Sequence, residues 1–133
     1  MLVLLDTSVA IQLRDGDEAV VARFAQLPVQ PVISAITRVE LEGGVYRNPG
    51  DAAVLRSRLD LMLSQIEELP FTSAEALVYG RIAEALGFSR AKVIDRMIAA
   101  QALVAGAVVA TLNPRDFRRI PGLQIEDWSL PPA

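Results

Sequence analysis

The chain has 133 residues, a formal net charge of −3 and an apolar content of 52%. This length predicts one domain, and a chain of this size buries roughly two-thirds of its unfolded surface, which is enough for a hydrophobic core without cross-links. The sequence contains no Cys and no His, which excludes a disulfide scaffold, a thiolate nucleophile and every His-dependent acid–base scheme. Carboxylates are therefore the main groups left for chemistry.

The first half of the sequence predicts two strands and four helices. The apolar run at 2–5 is typical of a strand that is buried on both faces, and Asn48-Pro49-Gly50 indicates a turn. The predicted elements are, in order, a strand at 2–5, helices at 9–14 and 18–27, a strand at 31–34, a helix at 35–46, and a helix capped by Asp51 that runs through Leu63.

The second half continues the alternation of strands and helices. It predicts a weak strand at 67–70, a helix from Thr72 or Ser73 to Leu86, a helix from Ser89 to about Val104, a strand at 107–111, a turn of helix at 114–118, an edge strand at 123–126 and a tail at 131–133. Gly87 stands where a left-handed C-cap is expected. Such alternation predicts an α/β fold with a parallel sheet and helices on both sides.

Nothing in the sequence predicts a membrane segment. The longest apolar stretch, Ala102 to Leu112, is about half the length of a membrane-spanning helix. No basic leader precedes the apolar residues at the N-terminus, so we expect no signal peptide. We therefore expect a cytoplasmic protein.

Four carboxylates stand at positions where an α/β sheet collects functional residues. Asp6 follows the first strand, Glu40 lies in the helix after the second, Asp95 lies in the helix before the fourth, and Asp116 follows the fourth. If the strand order is 3-2-1-4-5, the ends of strands one, two and four open into one cleft. Glu42 is an alternative to Glu40 and points about 200° away around the helix.

Each of these acids also has a purely structural interpretation. Asp6 is a good N-cap, Thr37 and Glu40 match a capping box unless Ser34 is the N-cap, and Asp116 would complement a helix dipole after Asn113.

Asp95 has the weakest structural explanation of the four acids. At 100° per residue it lies about 60° from Ile98 and about 20° from Ala102, on a mostly apolar stripe. An acid there is costly unless it is paired, protonated or bound to a metal. The alternative is a half-exposed acid near the positive N-terminus of the helix.

Four clustered carboxylates would repel one another, and a Mg²⁺ or Mn²⁺ ion would relieve that repulsion. Twelve of the thirteen basic residues are Arg, whose planar fork suits phosphate. The candidates for holding phosphates that flank a scissile bond are Arg96, Arg115, Arg118 and Arg119. The alternative is that these Arg residues are only solvated helix faces.

Four motifs in order give the sequence a family resemblance. They are the strand with Asp-Thr-Ser at 2–8, Ser-x-x-Thr-x-x-Glu-Leu at 34–41, Asp-x-x-Ile-Ala-Ala at 95–100, and Thr-x-Asn-x-x-Asp-Phe at 111–117. Together they resemble a PIN domain, and more closely a VapC-type toxin ribonuclease. The resemblance covers nearly the whole chain.

The resemblance implies a single PIN-like domain at 1–133, with a three-layer α/β/α fold and a central parallel sheet of four to five strands. It implies a metal-dependent endoribonuclease that uses Mg²⁺ or Mn²⁺ and forms a homodimer. A cognate antitoxin would bind in a groove near the helices that start at Val9 and Ala35. The implied site consists of the acids Asp6, Glu40, Asp95 and, less directly, Asp116, with Thr7, Ser8, Thr111 and Asn113 as supporting polar residues.

Two other classes of function stay open. An aspartyl-nucleophile phosphatase also places an Asp after its first strand, but it usually needs a second Asp two residues on, where this chain has Ser8. A non-catalytic RNA-binding or interaction module would tolerate acid-to-amide substitutions.

Overall fold

The computed structural model describes residues 1–132; Ala133, the last residue of the predicted tail, lies outside the described residues. The strands are β1 (Leu2–Leu5), β2 (Val32–Ser34), β3 (Glu67–Leu69), β4 (Ala107–Thr111) and β5 (Gln124–Asp127). The α-helices are α1 (Thr7–Asp15), α2 (Glu18–Ala25), α3 (Ala35–Val45), α4 (Ala52–Leu63), α5 (Ser73–Leu86) and α6 (Val93–Ala105). Short 3₁₀ turns lie at Pro49–Asp51, Arg90–Lys92 and Pro114–Asp116.

The five strands form one parallel sheet in the order β3-β2-β1-β4-β5. This confirms the expected order and the expected parallel sheet. In the register of the two central strands, Leu5 pairs with Ala110. Because all strands run the same way, their carboxyl ends lie at one edge, where ligands bind in open α/β sheets.

Helices cover both faces of the sheet, which confirms the three-layer fold. Along β1, Val3 and Leu5 belong to one buried cluster and Leu4 to the other, because successive strand side chains point to opposite faces. Helices α1 to α4 contribute to the first cluster, and α5 and α6 to the second. The continuous apolar run of β1 is thus buried on both sides.

Three local predictions differ in detail from the structure. Helix α6 begins at Val93 rather than at Ser89, because a 3₁₀ turn comes first, with the Lys92 N–H donating to the Ser89 carbonyl at 3.2 Å. Asp51 is the N-cap residue of α4, but its side chain makes no capping hydrogen bond. Gly87 has the expected positive φ of 83°, but its ψ of 152° is extended rather than left-handed helical.

None of the helices within residues 1–132 is both long enough and apolar enough to cross a membrane.

Candidate functional site

The four predicted acids are brought to the carboxyl edge of the sheet by adjacent elements. Asp6 directly follows β1, and Asp116 lies in the turn after β4. Glu40 is on α3, which starts directly after β2, and Asp95 is in the first turn of α6. The other three lie within electrostatic reach of Asp95, since the charges of Asp116, Asp6 and Glu40 all raise the pKa of Asp95.

Asp6 is the buried, rigid member of the group, with 3% of its surface exposed. Its Oδ1 accepts hydrogen bonds from the Val9 N–H at 3.0 Å and the Ser8 hydroxyl at 2.6 Å, and its Oδ2 accepts one from the Thr111 hydroxyl at 2.5 Å. Burial raises the pKa of Asp6, and these donors oppose that rise. The carboxylate is therefore both the N-cap of α1 and a link between β1 and β4.

The supporting hydroxyls extend that link to the backbone after β4. The Ser8 Oγ accepts a hydrogen bond from the Leu112 N–H at 3.1 Å, and the Thr111 Oγ1 accepts one from the Asn113 N–H at 2.9 Å. The ends of the two central strands are thus fixed relative to each other by side chains as well as by the sheet.

Glu40 is exposed and is oriented by a hydroxyl from the neighbouring helix. The Thr7 Oγ1 donates to the Glu40 Oε1 at 2.6 Å and lies 3.1 Å from the Thr37 Oγ1. The N-cap of α3 is Ser34, whose Oγ accepts from the Ile36 N–H. The alternative capping box of Thr37 and Glu40 is therefore not formed, and Glu40 is available to the site.

Glu42 belongs to a separate ion-pair network between α3 and α4. Its carboxylate contacts the Arg56 Nη1 at 2.5 Å and the Arg38 Nε at 3.2 Å. The hydrogen bond from Arg56 is the main reason that the pKa of Glu42 is lowered. The Glu42 carboxylate is therefore occupied by two arginines, whereas the charge of Glu40 acts on Asp95.

Asp95 has the most perturbed acidity of the four carboxyls. Its pKa is raised from 3.8 to about 6, first by burial and then by the charges of Asp116, Asp6 and Glu40, against a smaller opposing effect of Lys92. Desolvation and like charge both disfavour the ionised form. A cation bound beside Asp95 would remove the second of these costs.

Asp116 lies between two cavities and pairs with the only lysine of the chain. The Lys92 Nζ is 3.9 Å from the Asp116 Oδ1, and both side chains are about 40% exposed. One cavity of about 220 Å³, which we call the α5–α6 cleft, is lined by Ala85, Leu86, Lys92, Arg96, Arg115, Asp116, Arg119 and Ile120. The other, the β5-side cleft of about 510 Å³, is lined by Leu112, Asn113, Pro114, Arg115, Asp116, Arg118, Asp127 and Ser129.

The four predicted phosphate contacts fall into two groups. Arg115, Arg118 and Arg119 are exposed and line one or both clefts on the two sides of Asp116. Arg96 is buried, with 6% of its surface exposed, and its Nη1 donates to the Gly87 carbonyl at 2.5 Å. Arg96 thus holds the backbone between α5 and α6 in place as well as lining the α5–α6 cleft.

The donor atoms of the site fit a hard divalent cation in chemistry, since carboxylates and hydroxyls are oxygen ligands of the kind that Mg²⁺ and Mn²⁺ favour. Among residues 1–132, no three carboxylates lie close enough together to share one ion as they stand. Two of the acids have other partners: Glu40 is turned toward Thr7 and Asp116 toward Lys92. Both side chains reach solvent, so neither is fixed in its position by core packing.

Two polar residues of the site are not among those that the sequence predicts. Thr37 is fully buried and its hydroxyl lies beside that of Thr7. Its position in the Ser-x-x-Thr-x-x-Glu motif could have indicated that it belongs to the site. Lys92 reaches Asp116 across the gap between two segments far apart in sequence. No local pattern marks a contact of that kind.

Comparison with known proteins identifies the class of this fold and site. Residues 3–123 match the PIN domain family, and the chain belongs to that family. Within it, the chain is similar to the tRNA(fMet)-specific endonuclease VapC of Salmonella typhimurium, with 34% identity over 128 residues that cover 94% of this chain and 96% of that protein.

Solved structures agree over nearly the full length. VapBC2 from Rickettsia felis, bound to a DNA fragment from their promoter, superposes with a TM-score of 0.85 at 26% identity, covering 96% of this chain and 99% of that one. VapBC-5 from Mycobacterium tuberculosis, a member of the VapBC family of toxin–antitoxin systems, gives a TM-score of 0.67 at 26% identity, covering 95% of this chain and 96% of that one. The PIN-like fold expected from the sequence is confirmed.

Proposed function

We propose that this chain is the toxin of a toxin–antitoxin pair and a metal-dependent endoribonuclease that hydrolyses RNA phosphodiester bonds. The observation that carries the proposal is the Asp95 carboxyl, whose pKa is raised by burial and by three other acids at the carboxyl edge of a PIN-domain sheet. Perturbed carboxyls in a cleft are typical of functional sites. The ribonuclease function of VapC relatives supports the same conclusion.

Asp6, Glu40 and Asp95 would hold Mg²⁺ or Mn²⁺, with Asp116 as a fourth acid. The bound ion would lower the pKa of a water molecule and offset charge on the scissile phosphate. Asp6 is immobilised by three donors and provides a fixed carboxylate. Thr7 orients Glu40, while Ser8 and Thr111 orient Asp6, so these hydroxyls act as positioning residues, with Asn113 anchored behind them.

The exposed arginines would hold the RNA backbone on both sides of the scissile bond. Arg119 lies in the α5–α6 cleft, Arg118 in the β5-side cleft, and Arg115 lines both. Because guanidinium groups bind phosphate through paired N–H donors, this arrangement suits a strand that crosses the turn at Asp116. Phosphate contacts fix the position of the RNA without selecting its sequence.

The inhibitor of the enzyme would be a cognate antitoxin, as in the VapBC complexes. An apolar groove of about 230 Å³ is lined by Leu13, Arg14, Val21, Phe24, Arg58, Leu61, Met62, Gln65 and Ile66. It is formed by α1, one of the two helices that the resemblance implies, together with α2 and α4. We place the antitoxin segment there, and we keep the homodimer and the cytoplasmic location as further parts of the proposal.

The phosphatase alternative receives little support from the geometry. Such an enzyme usually needs a second Asp two residues after the first, whereas Ser8 stands at that position and its hydroxyl donates to the Asp6 Oδ1. The alternative of a non-catalytic module makes a distinct prediction, because it requires acid-to-amide variants to keep full function.

The decisive experiment is cleavage of defined RNAs by protein freed of its inhibitor, with Mg²⁺, with Mn²⁺ and with chelator. Initiator transfer RNA belongs in the panel because a relative is specific for it. We expect Asp6→Asn and Asp95→Asn to lower the rate by about 100-fold or more, on the scale of losses at metal sites. Glu42→Gln is the matched control, since Glu42 pairs with Arg56 away from the site. The proposal would be refuted if calorimetry detected no binding of Mg²⁺ or Mn²⁺ and both amide variants cleaved RNA at the wild-type rate.

A further inference from the structure

The connection between α5 and α6 forms one wall of the α5–α6 cleft and carries an exposed aromatic ring. Leu86 and Lys92 both line the cleft, and Phe88 lies between them with 71% of its surface exposed. The other three Phe residues of the chain are buried or half-buried. Phe88 thus belongs to neither buried cluster, and it stands on a connection whose two ends line the cleft.

The backbone that carries Phe88 is held in place from two sides. The Gly87 N–H donates to the Ala83 carbonyl at 2.8 Å, and the Gly87 carbonyl accepts from the buried Arg96 guanidinium at 2.5 Å. The positive φ of 83° at Gly87 turns the chain sharply away from the end of α5, in a conformation that favours glycine. The ring therefore projects from a fixed turn rather than from a loose loop.

Basic groups flank the ring on the same short connection. Arg90 is exposed, Lys92 reaches into the cleft toward Asp116, and Arg119 lines the cleft from the turn after β4. Aromatic rings beside basic groups bind unpaired nucleotides, since the ring stacks on a base while the cations hold the phosphates. The exposed ring and the positive charges on this connection match that kind of ligand.

We propose that Phe88 is a stacking platform for one base of single-stranded RNA, and that Lys92 contacts the phosphate next to that base. This rests on the proposed ribonuclease function and deepens it by naming two further RNA-binding residues outside the acidic site. Lys92 would leave Asp116 for the phosphate when RNA binds.

Binding is measured in an Asp95→Asn background, which separates it from cleavage, with a fluorescein-labelled single-stranded RNA. We expect Phe88→Ala to weaken binding about tenfold, on the order expected for one base–aromatic stack. Phe88→Trp keeps the stacking face and should keep the affinity. Leu77→Ala removes an apolar side chain that is 61% exposed on α5 and lines no described cavity, so it should have no effect.

An abasic scan tests stacking itself. A set of RNAs carries one abasic nucleotide at successive positions. At one position the abasic nucleotide should weaken binding to the Asp95→Asn protein about tenfold. The same nucleotide should not weaken binding to the protein that also carries Phe88→Ala, because the stacking contact is already lost. Lys92→Gln should reduce the slope of log affinity against log salt by about 0.7, the value for one phosphate contact on a single strand. Lys92→Arg should restore that slope, and Phe88→Ala should leave it unchanged.

Two results would overturn the inference while leaving the ribonuclease proposal intact. In the first, the wild-type enzyme cleaves RNA, but each abasic nucleotide weakens binding by the same factor with and without Phe88→Ala in the Asp95→Asn protein. In the second, Phe88→Ala leaves the affinity for RNA unchanged. A change in the dimer mass measured by light scattering, or in the affinity for the antitoxin, would then assign Phe88 to a protein interface. Wild-type protein that cleaves no RNA would instead refute the proposed function.

Discussion

Replacing Asp95 by Asn should make the metal-free protein more stable at neutral pH while it abolishes cleavage. The pKa of this carboxyl is about 6 in the folded protein against an ordinary value of 3.8. Each pKa unit corresponds to about 1.4 kcal/mol, so the full effect is about 3 kcal/mol. Because the side chain is only half-buried, solvent screening reduces this to about 1–2 kcal/mol.

The direction of the pH dependence follows from proton binding. Between pH 3.8 and about 6 the folded protein holds a proton at Asp95 that the unfolded chain has lost. Stability therefore falls as the pH rises through that window and stays reduced above it. The Asn variant carries no such proton, so its advantage over wild type should be near zero at pH 4 and largest above pH 7.

The assay is urea denaturation with chelator present, at pH values from 4 to 8, for wild type and Asp95→Asn. Asp51→Asn is the control, because it removes one exposed negative charge from the start of α4, where the side chain makes no capping bond. If the difference between Asp95→Asn and wild type were negative at pH 8, or did not change between pH 4 and pH 7, the electrostatic description of the site would be wrong.

Two further outcomes can be measured in the same way. Thr111→Val should destabilise the protein by about 1–3 kcal/mol, because it removes a hydroxyl donor from the buried Asp6 carboxylate. Thr111→Ser keeps the hydroxyl and should therefore recover most of this stability. Equal losses of stability in the two variants would contradict the argument. Mn²⁺ at 100 times its Kd should stabilise wild type by about 2.7 kcal/mol in thermal or urea unfolding; the same gain in Asp95→Asn would show that the ion binds elsewhere.

The architecture was largely predictable because it depends on local patterns. The apolar run of β1 and the turn at Asn48-Pro49-Gly50 helped to place the elements within a few residues, and the crossover rules limited the strand order. The grouping of the acids then followed from the order alone. The start of α6 was predicted less well, because Ser89 resembles an N-cap, whereas a 3₁₀ turn with local hydrogen bonds comes before the α-helix.

The candidate site was predictable in its acids but not in its contacts. Asp6, Glu40, Asp95 and Asp116 could be selected because strand ends and an apolar helix face single them out. Helix periodicity alone left Glu42 as an alternative to Glu40, and only the family resemblance selected Glu40. The ion pair of Glu42 with Arg56 could not be predicted, since it depends on another helix. The burial of Arg96 could not be predicted either, because its partner is the backbone carbonyl of Gly87, which no side-chain pattern reveals.

The hydrogen bonds of Asp6 have an evolutionary consequence. An apolar substitution at Asp6 would leave three buried donors without their acceptor and lower the amount of folded protein. Substitution of Asp95 by Asn should instead yield inactive protein that accumulates. Cells selected for loss of toxicity should therefore survive in two ways. Those with an apolar residue at Asp6 would lose the folded protein, whereas those with Asn at Asp95 would keep an inactive folded protein that still binds its antitoxin.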